Sequence, residues 1–174
     1  MEQQVVLLDS AGDAIGAAAK SAVHTDRTPL HLAFSCYAVS DAGQILLTRR
    51  SLVKQTWPGV WTNSVCGHPA PGEPMMDAII RRAREELGVA LTDVRPALPD
   101  FRYRATDASG IVENEVCPVY IARLAESPVP DPDEVAEWAW VSPDALGAAL
   151  AGAPFVFSPW LALQFPQLVE KGLF

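Results

Sequence analysis

Between Gly67 and Val89 the chain reads Gly67-His68-Pro69-Ala70-Pro71-Gly72-Glu73-Pro74-Met75-Met76-Asp77-Ala78-Ile79-Ile80-Arg81-Arg82-Ala83-Arg84-Glu85-Glu86-Leu87-Gly88-Val89. The second part predicts a helix over 74–87. Pro74 suits a first helical position, Met76, Ile79, Ile80, Ala83 and Leu87 make an apolar stripe, and Gly88 suits the C-terminal cap. Arg81 with Glu85 and Arg82 with Glu86 stand four apart, a spacing that supports a solvated helix face. The same helix can deliver Glu85 and Glu86 to a hard divalent cation whose remaining oxygen ligands come from substrate phosphates.

Just upstream, Trp57-Pro58-Gly59-Val60-Trp61-Thr62-Asn63-Ser64-Val65-Cys66-Gly67-His68 sets one cysteine beside a histidine. A thiol among Trp61, Val65 and Gly67 is partly desolvated, which favours its protonated form, whereas a nearby cation favours thiolate. Cys36 and Cys117 lie in apolar runs and read as buried, inert thiols.

The flanks are rich in strand signals. Val5 to Leu8 runs into a turn at Asp9 to Asp13, and Leu32 to Val39 with Ile45 to Thr48 suggests a hairpin across Ser40 to Gln44. Val112 to Ala122 reads as one strand, its period of two putting Glu113, Glu115 and Cys117 on one face and Asn114 and Val116 on the other. Ser127 to Asp133 is a proline-rich surface connection, and Glu137 to Val141 is a further strand. Ser142-Pro143 and Ser158-Pro159 each open a helix by the cap-then-proline pattern.

At 174 residues and 18.7 kDa the chain fits a single domain spanning 1–174. Its 13 basic and 21 acidic residues give a net charge of -8, which argues against nucleic-acid or anionic-membrane partners. An anionic substrate therefore needs a local cluster of cations. The three cysteines form an odd set with no secretory signal before them, so the cytoplasm is the expected compartment. The uncharged run from Ala145 to Leu163 is broken by Pro154 and Pro159 and does not read as a membrane span.

Gly67, Glu73 and Arg81 to Val89 have the spacing of the Nudix box, a diphosphate-binding loop-helix-loop. One residue departs: Arg82 stands where ordinary Nudix hydrolases carry a glutamate. From Val6 to roughly Val169 the chain resembles the type 1 isopentenyl-diphosphate isomerases, a Nudix-fold family. The resemblance rests on Thr48-Arg49-Arg50, Trp57 to His68, Phe101-Arg102-Tyr103-Arg104-Ala105, Gly110 to Pro118, and Phe157-Ser158-Pro159-Trp160.

The resemblance implies an α/β (α+β) Nudix fold with a mixed β-sheet sandwiched between helices. It implies an isomerase that interconverts isopentenyl and dimethylallyl diphosphate, by protonation and deprotonation through a tertiary carbocation, in isoprenoid precursor biosynthesis. It assigns His24, His31, His68, Glu113 and Glu115 to one divalent metal, a mixed shell suited to Mn, Mg or Zn. Glu86 is assigned to a Mg ion bridged to the diphosphate, and Lys20, Arg50, Lys54 and Arg82 to the diphosphate itself. Arg50 and Arg82 can each offer phosphate two parallel hydrogen bonds. Cys66 and Glu115 carry protons, Tyr103 hydrogen-bonds near Glu115, and Trp160 is the aromatic wall. No flavin or nucleotide cofactor is implied. The partner is a small isoprenyl diphosphate, and the protein is expected as a monomer or weak homodimer. Two rivals remain: a pyrophosphatase acting on a nucleoside diphosphate derivative, and a regulatory module without turnover.

Overall fold

A computed structural model describes residues 3–124 and 126–174. In chain order the strands are β1 (Gln4–Leu8), β2 (Ala14–Ala19), β3 (His31–Leu32), β4 (Phe34–Val39), β5 (Ile45–Arg50), β6 (Trp61–Thr62), β7 (Val65–Gly67), β8 (Leu91–Leu98), β9 (Arg102–Thr106), β10 (Val112–Val116), β11 (Val119–Leu124) and β12 (Val135–Val141). The helices are α1 (Lys20–Val23), α2 (Met75–Leu87), α3 (Pro143–Gly152) and α4 (Pro159–Glu170). Among the described residues no helix is long and apolar enough to cross a membrane.

The strands divide between two mixed sheets, ordered β2-β1-β3-β10-β9 and β12-β5-β4-β11-β8, with β6 and β7 added to β5 and β4. The run from Val112 to Ala122 is therefore two strands in different sheets. Its break falls at Cys117-Pro118, where proline has no N–H to continue a ladder. The neighbouring segment breaks at Ala33, between β3 and β4. These two segments run parallel and cross from one sheet to the other together, Glu115 pairing with His31 and Val119 with Ser35. Ala33 N donates to Val116 O at 2.9 Å and Ser35 N to Pro118 O at 3.1 Å, so backbone pairing survives the crossing. The expected hairpin of β4 and β5 closes only at its turn, at Val39 and Ile45, because β7 takes the other end of β4.

The second sheet is covered on both faces. Phe34, Cys36 and Ala38 of β4 pack toward Ile79, Ala83 and Leu87 of α2. Tyr37 of the same strand packs with Leu146 of α3 and Leu161 and Phe165 of α4. Alternation along one strand thus builds two cores, as a sheet between helices requires.

Helix α2 begins one residue later than expected, with Pro74 extended before it. Its buried face also differs: Met76 is 39% exposed, whereas Arg82 and Glu86 are only 4% and 9% exposed. The pair Arg82 and Glu86 is thus turned inward, not solvated. Gly67 makes room for this, since a Cβ there would lie 2.7 Å from Arg82 Cγ and 3.1 Å from the Phe34 ring. At the helix end Gly88 is left-handed, with φ of 66°, and donates its N–H to Arg84 O at 3.1 Å. The connection after β11 closes this end, Val129 N donating to Leu87 O at 2.8 Å and Asp131 N to Glu86 O at 3.0 Å. Ser142 and Ser158 cap α3 and α4 as expected, accepting from Ala145 N and Leu161 N.

Candidate active site

The crossing of the two segments builds the first part of the site. His31 and Glu115 are direct neighbours on β3 and β10, His24 follows α1, and His68 follows β7. The three imidazole centroids lie 5.1 to 5.7 Å apart. Glu115 Oε1 is 3.4 Å from His31 Nε2 and 3.1 Å from His68 Nε2, and Glu113 Oε2 is 3.1 Å from His24 Nε2. Yet His24 Nε2, His31 Nε2 and Glu113 Oε2 are all buried and none makes an aligned hydrogen bond. Orphaned buried polar atoms are costly; the two imidazole nitrogens belong to one close group with His68 and Glu115, whereas Glu113, also expected as a ligand, touches only its His24 edge.

His31 Nδ1 lies 2.9 Å from Pro29 O, which can only accept, so Nδ1 carries a proton and Nε2 is the nitrogen that faces the cluster; against burial, the Glu115 carboxylate and this backbone bond raise the ring above its ordinary value. Burial pushes His68 down to about 4, so its ring is neutral at neutral pH. Burial alone would raise the Glu115 carboxyl, but the His31 and His68 rings beside it hold it well below the usual carboxylate range. One ligand atom each from His24, His31, His68 and Glu115 lies within 4.8 Å of the others. Three nitrogens and carboxylate oxygens fit a divalent ion such as Zn, Mn or Mg.

Cys66 lies across from Ser35 of β4. Its Sγ donates to Asn63 Oδ1 at 3.1 Å and stands 3.5 Å from Ser35 Oγ. Burial raises the thiol to about 11. Asn63 Oδ1 also accepts from Trp160 Nε1 at 3.0 Å, while its Nδ2 donates to Cys36 O and Val65 O, each at 3.0 Å. Trp160 meets Trp57 edge-on at 5.6 Å and Tyr103 at 5.9 Å between ring centroids. Cys66, Glu115, Tyr103 and Trp160 line one cavity of about 380 Å³, within the range of small-molecule sites. Tyr103 stands directly across from Glu115 in the β9 and β10 pairing, but no hydrogen bond joins the two among the described residues.

Cys36 is wholly buried, as expected. Cys117 is buried too, yet its Sγ is 3.4 Å from the same Ser35 hydroxyl that Cys66 approaches. Gln164 Nε2 donates to Ser35 Oγ at 3.0 Å and Tyr37 donates to Gln164 Oε1 at 2.9 Å, so a buried polar chain runs behind the thiol.

Lys20, Arg50, Lys54, Arg82 and Glu86 line the same cavity. Arg82 pairs with Glu85 at 2.7 Å, with Glu134 at 3.2 Å and with Glu86. Lys54 pairs with Glu134. Burial, then the charges of Arg82 and Lys54, lower the Lys20 ammonium from its usual value. Arg50 differs from the expected phosphate fork. Its Nε and Nη2 donate to Thr56 O and its Nε to Trp57 O, and its Cζ lies 5.4 Å from the Trp160 ring centroid. Only Nη1 is without such a bond among the described residues.

Sequence reasoning missed Asn63, Ser35, Thr56, Gln164 and Glu134. Asn63 stood inside the quoted cysteine stretch, but nothing local marks it, because its partners come from β4 and α4. Arg81 has a structural part: its Nε and Nη2 grip Glu73 at 2.7 and 2.9 Å, and its Nη2 reaches His68 O at 3.3 Å.

A family model of the NUDIX domain matches residues 29–162. The isopentenyl-diphosphate Delta-isomerase of Paenarthrobacter aurescens (strain TC1) is 63% identical over 168 residues, covering 97% of this chain and 91% of that protein. That of Agromyces mediolanus is 62% identical over 168 residues, covering 97% of this chain and 82% of that protein. A crystal structure from Deinococcus radiodurans aligns with a TM-score of 0.76 at 23% identity, over 95% of this chain and 99% of that chain, a likeness of fold alone.

Proposed function

We infer that the chain, which belongs to the Nudix family and within it to the isopentenyl-diphosphate Delta-isomerases, is an enzyme that interconverts isopentenyl diphosphate and dimethylallyl diphosphate. The observation that carries this reading is the meeting of the Cys66 thiol, the Glu115 carboxylate and the Trp160 indole on one cavity. Moving the double bond requires a proton added at the terminal alkene carbon and another removed two carbons away. Cys66 and Glu115 serve these two steps from opposite faces of the hydrocarbon and exchange roles on the return. Between the steps the substrate is a tertiary carbocation. Trp160 presents its electron-rich face to that cation, an attraction of about 2 kcal/mol when desolvated. The larger part of the catalysis comes from positioned proton carriers and the exclusion of water.

Lys20, Arg50, Lys54 and Arg82 hold the diphosphate. When bound, a Mn, Zn or Mg ion on His24, His31, His68, Glu113 and Glu115 supplies fixed positive charge at the Glu115 carboxylate, and a Mg ion at Glu86 supplies it at the diphosphate. Tyr103, across from Glu115 but not bonded to it, steadies or relays its proton through a bridging water. A hydrolytic reading is disfavoured by Arg82, whose guanidinium pairs with Glu85 and Glu86 where a hydrolase uses a further carboxylate. The enzyme works in the cytoplasm on a free small molecule, as a monomer or weak homodimer.

The test is an NMR assay of the protein with isopentenyl diphosphate, Mg and Mn in deuterated water. Deuterium entering the methyl groups is expected. A changed phosphorus spectrum without migration of the alkene would instead identify a hydrolase.

A further inference from the structure

Thr56 lies in the connection between β5 and β6 and is 5% exposed. Its hydroxyl donates to Glu113 Oε1 at 2.8 Å and accepts from Arg50 Nη2 at 3.2 Å. The direction of both bonds is forced. A guanidinium only donates, so the single hydroxyl proton is left for the carboxylate. Arg50 also donates to the Thr56 carbonyl at 2.8 Å, which fixes the backbone that carries the hydroxyl.

The consequence falls on Glu113. The terminal torsion of a glutamate is broad, so nothing within the side chain itself decides where its oxygens point. Here Oε1 is occupied by Thr56, and Oε2 is left as a buried oxygen without a hydrogen bond, 3.1 Å from His24 Nε2. We propose that Thr56 is a positioning residue for the metal centre, its hydroxyl presetting Glu113 so that Oε2 faces the imidazole cluster as a ligand. This rests on the reading of the histidine and glutamate set as a metal site. Without the hydroxyl the carboxylate can rotate, and Oε1 loses its partner in a buried setting.

The test is Mn binding to the full chain, stripped of metal by chelation and dialysis, with free Mn followed by electron paramagnetic resonance. Thr56→Val keeps the volume and removes the hydroxyl, Thr56→Ala removes it without bulk, and Thr56→Ser keeps it. Loss of an orienting partner weakens metal affinity about 10- to 100-fold, so Kd rises by that factor in Thr56→Val and Thr56→Ala while Thr56→Ser stays near wild type. Metal-free Thr56→Val and Thr56→Ala melt somewhat below the wild type, for the unpartnered buried oxygen, yet cooperatively and above the titration temperature, which separates the loss of affinity from a general loss of fold. Wild-type affinity in Thr56→Val or Thr56→Ala overturns the proposal, as does an equal loss in Thr56→Ser. A His31→Ala control separates the two readings. If it binds Mn as the wild type does, the metal site itself is refuted; if it loses binding while Thr56→Val keeps it, only the role of Thr56 is.

Discussion

Cys66 aims its S–H at the carboxamide oxygen of Asn63 across 3.1 Å. The amide cannot turn to offer its nitrogen instead, because Nδ2 is engaged by the carbonyls of Cys36 and Val65. A carbonyl oxygen only accepts, so this bond exists with the proton on sulfur. Burial acts in the same direction, raising the thiol to about 11. Cys66 therefore rests as a proton donor, unlike a nucleophilic cysteine, which needs its thiolate.

Replacing that sulfur isolates its acidity from its size. Cys66→Ser keeps a donor toward Asn63, so melting temperature and diphosphate binding stay near wild type. Turnover falls by about 10²- to 10⁴-fold, the usual worth of a positioned proton donor. Cys36→Ser, at the back of the same sheet, should instead cost stability of about 1–3 kcal/mol for a buried hydroxyl and leave kcat unchanged. Steady-state rates beside thermal melts distinguish the two. Near-normal turnover in Cys66→Ser would remove the thiol from the mechanism.

The indole shares the same amide oxygen, and this lets its two roles be separated. Trp160→Phe retains an aromatic wall but loses the N–H that Asn63 Oδ1 accepts at 3.0 Å. Thr62 Oγ1 still donates to that oxygen at 3.0 Å, so the stability loss is small, about 1 kcal/mol. Phenylalanine attracts a cation less than tryptophan, and the cation exists only beyond the ground state. The expected result is kcat lowered about tenfold with KM unchanged. A rise in KM at constant kcat would mean that Trp160 merely packs against the bound hydrocarbon.

What the sequence reveals of this site follows from how local each signal is. Helix α2, its Gly88 cap and the serine caps of α3 and α4 were legible, because each depends on residues within one or two turns. The meeting of the three histidines with Glu115 followed from the resemblance and from no local pattern, since the four come from separate segments of the chain. The break at Cys117-Pro118 was hidden by continuous apolar character, which reads the same whether a strand stays in one sheet or crosses to another. Spacing alone left Arg82 open between a solvated helix face and the diphosphate cluster, because periodicity counts a guanidinium as polar. Its burial depends in part on Glu134, 52 residues further on. Asn63 and Thr56 were missed for a similar reason: their meaning lies in Trp160 and Glu113, which only the folded chain brings near.

The end of α2 yields a prediction about packing and backbone together. Gly88 has φ of 66°, and a Cβ there would meet Val129 O at 2.4 Å. That oxygen cannot retreat freely, since the Val129 N–H is bonded to Leu87 O at 2.8 Å. Gly88→Ala should therefore cost about 2–4 kcal/mol, the left-handed strain plus the clash. Gly72→Ala provides the control, because Gly72 has φ of 77° with nothing within 4 Å of its Cβ position. It should show the backbone cost alone, about 1 kcal/mol. Equal losses in denaturant melts of the two variants would show that Val129 yields.

Acid stability should report on the clasp beneath His68. Glu73 accepts two bonds from Arg81 and one from Ala70 N at 2.8 Å, and Arg81 also reaches the His68 carbonyl. The Arg81 hydrogen bonds, against some opposing burial, hold the Glu73 carboxyl below its ordinary value of 4.5. The folded state thus binds this proton less readily than the unfolded chain, so stability rises with pH through this range. The contribution is complete above the unfolded value and is lost as pH falls through the folded one. Glu73→Gln removes the charge and keeps the shape. The wild type should be more stable than this variant by about 1 kcal/mol at pH 7, as for a partly exposed ion pair. That gap should hold flat down to about pH 5 and shrink as acid protonates Glu73, while the other carboxylates titrate alike in both proteins. Urea melts of the pair at a series of pH values give the gap directly. A difference unchanged at pH 3 would mean that Glu73 acts by packing and not by charge.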